Sequence, residues 1–297
     1  QRFFSLNTQS QQIQWGETLP AVVNQLLIDP QVPHRFYAAK EKGLYTSNNQ
    51  GESWHKDENL YSERRMIGKN ERISSLAINP QTNELWAGIS SQTIYISGGP
   101  PIVPYIDVFA GVFTRIHPDG NWQSIPLEIS YLNDLSEILG IWFLPSQTNW
   151  KPYVSFKISQ YTTNYVAGLY QYGLDEQTGL NWKLVLDFDA QHDLIQAIAN
   201  SSDKHYYALG LKGTLFSGGP DPASWQRQGQ IPDCLPPDPT HPIKPQRSPC
   251  RALLVDPSNP QHLLAGSPSG LWQSFDGGKN WQKWESPLTD VYTLAMD

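Results

Sequence analysis

The chain has 297 residues, of which 39% are apolar and 16% charged, with a net charge of −7. That mixture buries a core and argues against a disordered chain. No basic block offers itself to a nucleic-acid backbone, and no run approaches the ~18 apolar residues of a membrane-spanning helix.

The 22 Gly and 24 Pro are spread along the chain and predict many turns and little long helix. The length fits one large all-β domain or two small ones. The sequence starts at Gln1 without a Met. A cleaved export signal accounts for that start, and so does a boundary within a longer chain.

Taken in chain order, short apolar or alternating runs recur between turn signals and predict strands rather than helices. RFFSL and QIQWGE form an N-terminal pair. QLLIDP (25–30), RFYAAK (from 35) and GLYTS (from 43) lead into SNNQGESW (47–54) and SWHKD. SLAINP (75–80), ELWAG (from 84) and GVFTR (from 111) lead into PDGNW (118–122) and NWQSI. GIWFLP (140–145) and GLYQY (from 168) lead into DEQTGLNW (175–182) and NWKLVLDF. QAIANS (196–201), HYYALG (from 205) and GTLFS (from 213) lead into SGGPDPASW (217–225) and SWQRQ. LLVDPSNP (253–260), HLLAG (from 262) and GLWQS (from 270) lead into SFDGGKNW (274–281) and NWQKW, and TLAMD closes the chain. Residues 97–110 read as a loop. Trp15, Trp54, Trp122, Trp182, Trp225 and Trp281 share one context, just after a Gly-containing turn or polar loop.

A four-stranded unit repeated every roughly 40 to 60 residues means a β-propeller, because one such sheet cannot bury both faces alone. The expectation is an all-β chain forming a single propeller domain over 1–297. Its approximate blades are 21–66, 71–130, 133–189, 191–232 and 249–287, with a closing blade from 1–20 plus 288–297. That makes six blades, with seven as the fallback.

The octet explains its own residues. Ser47 and Asn49, like Ser274 and Asp276, can accept backbone hydrogen bonds and fix a turn. Gly51 and Gly278 permit positive φ. Trp54 and Trp281 begin the outer strand with a large packing surface. The pattern S-x-D-x-G-x-x-W resembles the Asp box, or BNR repeat. That repeat occurs in sialidases, xyloglucanase-type glycoside hydrolases, sortilin-type receptor propellers and photosystem II assembly factors. The resemblance is strongest at 25–56 and 253–284. It implies a propeller and gives these octets a structural role.

Catalysis by those relatives would need more than the repeat. Sialidase chemistry needs an arginine triad in an Arg-Ile-Pro context, and Arg115-Ile116-His117 is the nearest miss. Xyloglucanase-type hydrolysis needs two carboxylates across a cleft, which that family places between two propellers. Trp142, Trp150 and Tyr161 could stack on sugars or fill a blade.

Cys234 and Cys250 bracket CLPPDPTHPIKPQRSPC, a loop with six prolines and no apolar periodicity. A disulfide at its base would hold it and implies an oxidising compartment; two free thiols are the alternative. LDFDAQHD gathers Asp187, Asp189, His192 and Asp193, a weak Ca²⁺ candidate with no glycine for a tight loop. No metal or cofactor is expected.

Two stretches stand out as partner surfaces. YSERRMIGKNER (61–72) carries Arg64, Arg65 and Arg72 in an acidic chain. PPIVPYIDVFAG (100–111) carries Ile102, Tyr105, Ile106 and Phe109 in a predicted loop that needs cover. The resulting expectation is a non-catalytic, extracytoplasmic propeller that binds a protein partner. The alternatives are a carbohydrate-active propeller, which would take a glycan, and a segment of a larger surface or filament protein.

Overall fold

Alternation in the sequence becomes 22 strands among the described residues of the computed structural model. The structure describes residues 2–7, 12–18, 23–40, 43–57, 60, 71–96, 104–116, 120–126, 135–146, 149–158, 166–173, 182–187, 193–201, 205–221, 224–234, 250–285, 291 and 294.

An N-terminal antiparallel pair comprises β1 (Arg2–Asn7) and β2 (Gln12–Thr18). Five four-stranded sheets follow, each ordered as its strands run in sequence. The first holds β3 (Val23–Ile28), β4 (Phe36–Lys40), β5 (Gly43–Ser47) and β6 (His55–Lys56). The second holds β7 (Glu71–Ile78), β8 (Glu84–Ile96), β9 (Pro104–Ile116) and β10 (Gln123–Ile125). The third holds β11 (Leu135–Pro145), β12 (Trp150–Ile158), β13 (Val166–Tyr172) and β14 (Trp182–Asp187). The fourth holds β15 (Ile195–Asn200), β16 (Tyr206–Gly210), β17 (Thr214–Gly218) and β18 (Gln226–Gln230). The fifth holds β19 (Ala252–Asp256), β20 (Asn259–Ser267), β21 (Gly270–Ser274) and β22 (Gln282–Lys283).

Burial follows strand position. Every residue of β16 and β17 is buried, whereas β6 and β22 are exposed. Middle strands covered on both faces read as continuous apolar runs, and outer strands read as polar. The Asp/Asn-Pro phrases are turn braces: Asp29 Oδ1 accepts the Gln31 and Val32 amides at 2.9 and 3.1 Å, and Asn79 Oδ1 accepts those of Gln81 and Thr82.

The chain divides into two compact units. One is Gln1–Phe143, Phe156–Asn164 and Asp175–Trp182; the other is Leu144–Ser155, Tyr165–Leu174 and Lys183–Asp297. In the first, a core joins Tyr37, Ala39 and Leu44 of one sheet to Ile73, Leu76, Ala87, Phe113 and Trp122 of the next. Side chains then bond neighbouring first strands. Gln25 holds Leu76 through both its amide N–H and its carbonyl, at 2.9 and 2.7 Å, and Ser75 Oγ accepts the Ile141 amide at 2.8 Å. Buried bonds of this kind contribute about 1 kcal/mol each. In the second unit, Leu209, Leu215, Leu253, Leu263 and both cysteines share a core. Ser155 Oγ donates to Ile195 O at 3.1 Å, and Tyr207 donates its hydroxyl to Pro260 O at 3.2 Å.

Three expectations are corrected. The described residues hold five four-stranded sheets, not six or seven, and β1 and β2 pair only with each other. Of the expected closing segment 288–297 only residues 291 and 294 are described, and the Val291 amide bonds Ser267 O. Residues 104–110, read as loop, belong to β9, which pairs with β8 through thirteen residues from Glu84↔Ile116 to Ile96↔Pro104. The turn-forming residues are confined to Gly98, Gly99, Pro100 and Pro101, and the β-branched and aromatic residues beyond them favour strand. Trp150 opens β12, a strand missing from the sequence reading.

Candidate functional site

The two complete octets are closed structural units. Ser47 Oγ donates to Asn49 Oδ1 and accepts the Gly51 amide, both at 2.8 Å, while Asn49 Oδ1 accepts the Ser53 amide at 3.0 Å. Trp54 Nε1 donates to Gly51 O at 3.1 Å. Ser274 repeats this with Asp276 Oδ1 and the Gly278 amide, again at 2.8 Å, and the Asn280 amide donates to Asp276 Oδ1 at 2.9 Å. That Asn280 amide, with the Asn280 side chain and Ser274, holds the Asp276 carboxyl down to about 2. Gly51 and Gly278 have φ of 89° and 88°, where a side chain is strained. Trp281 packs against the second unit's core.

Other predicted sites are also engaged. Cys234 and Cys250 form a disulfide with Cα atoms 5.5 Å apart, and both are buried. Beside them Asp233 accepts the Ser269 hydroxyl and, at 3.3 Å, Trp272 Nε1. Asp193 is buried and braces the β16–β17 turn, accepting the Lys212 amide at 2.8 Å and the Thr214 amide at 3.3 Å. A Cβ on Gly210 would lie inside that carboxylate. Asp189, His192 and the Asp187 side chain fall outside the described residues, and among those described no three His, Cys, Asp or Glu side chains gather. Trp142 and Trp150 are half-buried, Trp142 lies over Gly140, and Tyr161 is not among the described residues.

Several charged pairings were not expected from the sequence. Arg115 is buried beside Asp57, at 2.5 Å, and lies 4.7 Å from the Trp122 ring. It is committed to an internal pair and does not offer a guanidinium to a substrate carboxylate. Lys40 is buried over Tyr45, and burial lowers its pKa. His262 sits 3.0 Å from Asp256 and stacks on exposed Phe275 at 4.6 Å. The Ser258 hydroxyl, with His262, brings Asp256 to about 2. An unusual spacing could have flagged none of these, because each pair joins residues from separate turns or strands.

The described residues of both partner stretches lie in the second sheet. Arg72, exposed, lies near the start of β7. It pairs across β7–β8 with Ser90, and Ser90 pairs across β8–β9 with Ala110. Glu71 connects in the same way through Ser91 to Phe109. Beyond that line, among the described residues, β8 and β9 continue as a two-stranded ribbon in which Gln92 pairs with Val108, Ile94 with Ile106 and Tyr95 with Tyr105. Arg64, Arg65 and Ile102 lie outside the described residues.

No protein-family model matches the chain, and no curated protein matches it. Among solved structures, a luciferin-regenerating enzyme superposes on 90% of this chain and 76% of its own, with TM-score 0.56 and 14% identity. An ancestral GH74 enzyme superposes on 91% of this chain at TM-score 0.54 and 17% identity. The fold is a β-propeller. This chain spans only 34% of the GH74 enzyme's length. YCF48 from Cyanidioschyzon merolae is similar more loosely, over 93% of this chain and 88% of its own, at TM-score 0.45 and 15% identity. Identities at this level speak for the fold alone. Among the described residues no helix is long and apolar enough to cross a membrane.

Proposed function

We propose that this chain is a non-catalytic, exported propeller of Asp-box repeats that binds another protein through the β8–β9 ribbon. The observation that carries it is the ribbon itself: among the described residues, 92–96 and 104–108 pair only with each other, past the positions that pair with β7 and β10. Exposed Arg72 of the basic stretch lies near the start of β7, in register with the base of the ribbon, in an acidic chain. A rigid sheet presenting a projecting element suits a binding role. Export is supported by the disulfide, which persists in oxidising compartments.

The test is a shortened ribbon. Ser91 and Phe109 are cross-strand partners, so an Asn-Gly turn can join them in place of residues 92–108. Native protein purified with its associates should retain a partner that the shortened protein fails to capture. A lone monomer that binds glycans on an array would contradict the reading.

A further inference from the structure

Within that ribbon, we infer that the outer edge of β9, residues 104–111, takes an extended peptide of a partner protein as an added strand. The inference rests on the docking role proposed above and names what docks there.

Among the described residues the edge is open. β8 covers one side of β9 along its whole length. On the other side β10 pairs only with Thr114, Phe113 and Val112. The next residue, Pro126, has no N–H to donate to a neighbouring strand, and its carbonyl accepts Trp182 Nε1 at 2.9 Å. Among the described residues no strand lies along the outer side of 104–111. Successive residues of an antiparallel strand aim their N–H and C=O to alternate sides, so about half of these backbone groups face that side.

Natural edges are blunted by Lys, Pro or a bulge. After Pro104 this edge reads Tyr-Ile-Asp-Val-Phe-Ala-Gly, with no Lys and no further Pro. Its register against β8 runs without a bulge, whereas β7 and β8 show one between Ile73 and Ser75. These features keep a strand flat and competent to pair.

Charge selects the occupant. Asp107 is the one charged residue of 104–111, in a chain of net charge −7. A second copy would set the same acidic edge against itself. An eight-residue ladder is also much smaller than the ~1,200–2,000 Å² of a stable protein interface, and suits a short peptide held by main-chain hydrogen bonds. The expected ligand therefore alternates β-branched or aromatic residues and carries Lys or Arg at the position that pairs with Asp107.

The experiment selects displayed short linear peptides against the intact chain and measures the best one as a synthetic peptide. Enrichment of basic, β-forming sequences is expected, with amide exchange slowed at alternate residues between 105 and 111. Tyr105→Pro and Ile106→Pro lie beyond the end of β7. One removes a donor on the open side and the other parts β9 from β8, so each should weaken the peptide at least about tenfold. No enrichment, protection elsewhere, or binding by both variants within about twofold of the parent would overturn the inference. A concentration-dependent dimer abolished by either proline would overturn it in favour of a second copy. If the prolines spare capture of the native partner and ribbon shortening abolishes it, strand addition falls and the ribbon reading stands. If shortening also spares capture, the ribbon reading falls.

Discussion

Asp57→Ala leaves the Arg115 guanidinium in the first unit without the carboxylate that faces it. Arg115 is 3% exposed and Asp57 7%, so water does not replace the lost partner. Stranding one member of a buried pair costs about 3–5 kcal/mol. The Trp122 ring 4.7 Å away offsets part of that, by about 1–2 kcal/mol, and the net expectation is about 1–4 kcal/mol. Arg115 Nε already has no hydrogen-bond partner among the described residues, so the pair is incompletely compensated. The double substitution Asp57→Ala with Arg115→Met removes both charges and should cost less than Asp57→Ala alone. Native-state amide exchange at 112–115 reads the opening free energy of this region without assuming that both units unfold together. Additive single and double effects, or a single effect below about 1 kcal/mol, would refute the claim that the pair is buried and coupled.

Further tests address the repeat and the staple. Gly278→Ala places a Cβ at φ 88° against Leu215, and the strain and overpacking together should destabilise by about 2–4 kcal/mol in denaturant titration. Replacing Cys234 and Cys250 by Ser opens a link across 16 residues and should cost about 3 kcal/mol, read as a lower melting temperature that reductant reproduces in the parent. Asp276→Asn should be less stable than the parent above the ordinary carboxylate range. The folded-state pKa is depressed, so the advantage of Asp276 is present above its unfolded pKa and disappears as pH falls towards 2; melting curves across that window check it.

The repeat was legible because its signals are local. A Ser two residues before Asp or Asn, a Gly at positive φ and a following Trp lie within one hairpin, and LLIDP and LLVDP name the strand and its turn brace together. β12 was illegible because WKPYVSFKI carries a Pro and two Lys and lacks the small-residue ending of HLLAG. The ribbon was hidden by the Gly-Gly-Pro-Pro run, whose turn signal outweighed the strand-forming residues on both sides. Arg115 stood out only for its Arg-Ile context, and its partner Asp57 lies 58 positions away, a distance no periodicity reports. The polar bonds from Gln25 to Leu76 and from Ser75 to Ile141 join separate repeats and were equally out of reach.

Partner capture by ribbon-shortened protein is the most direct measurement of the central claim. Residues 92–96 and 104–108 lie beyond the described four-stranded part of the second sheet. The account predicts a melting temperature within about 2 °C of the parent together with loss of the protein that copurifies with it. Undiminished capture by a fully folded shortened chain would contradict it.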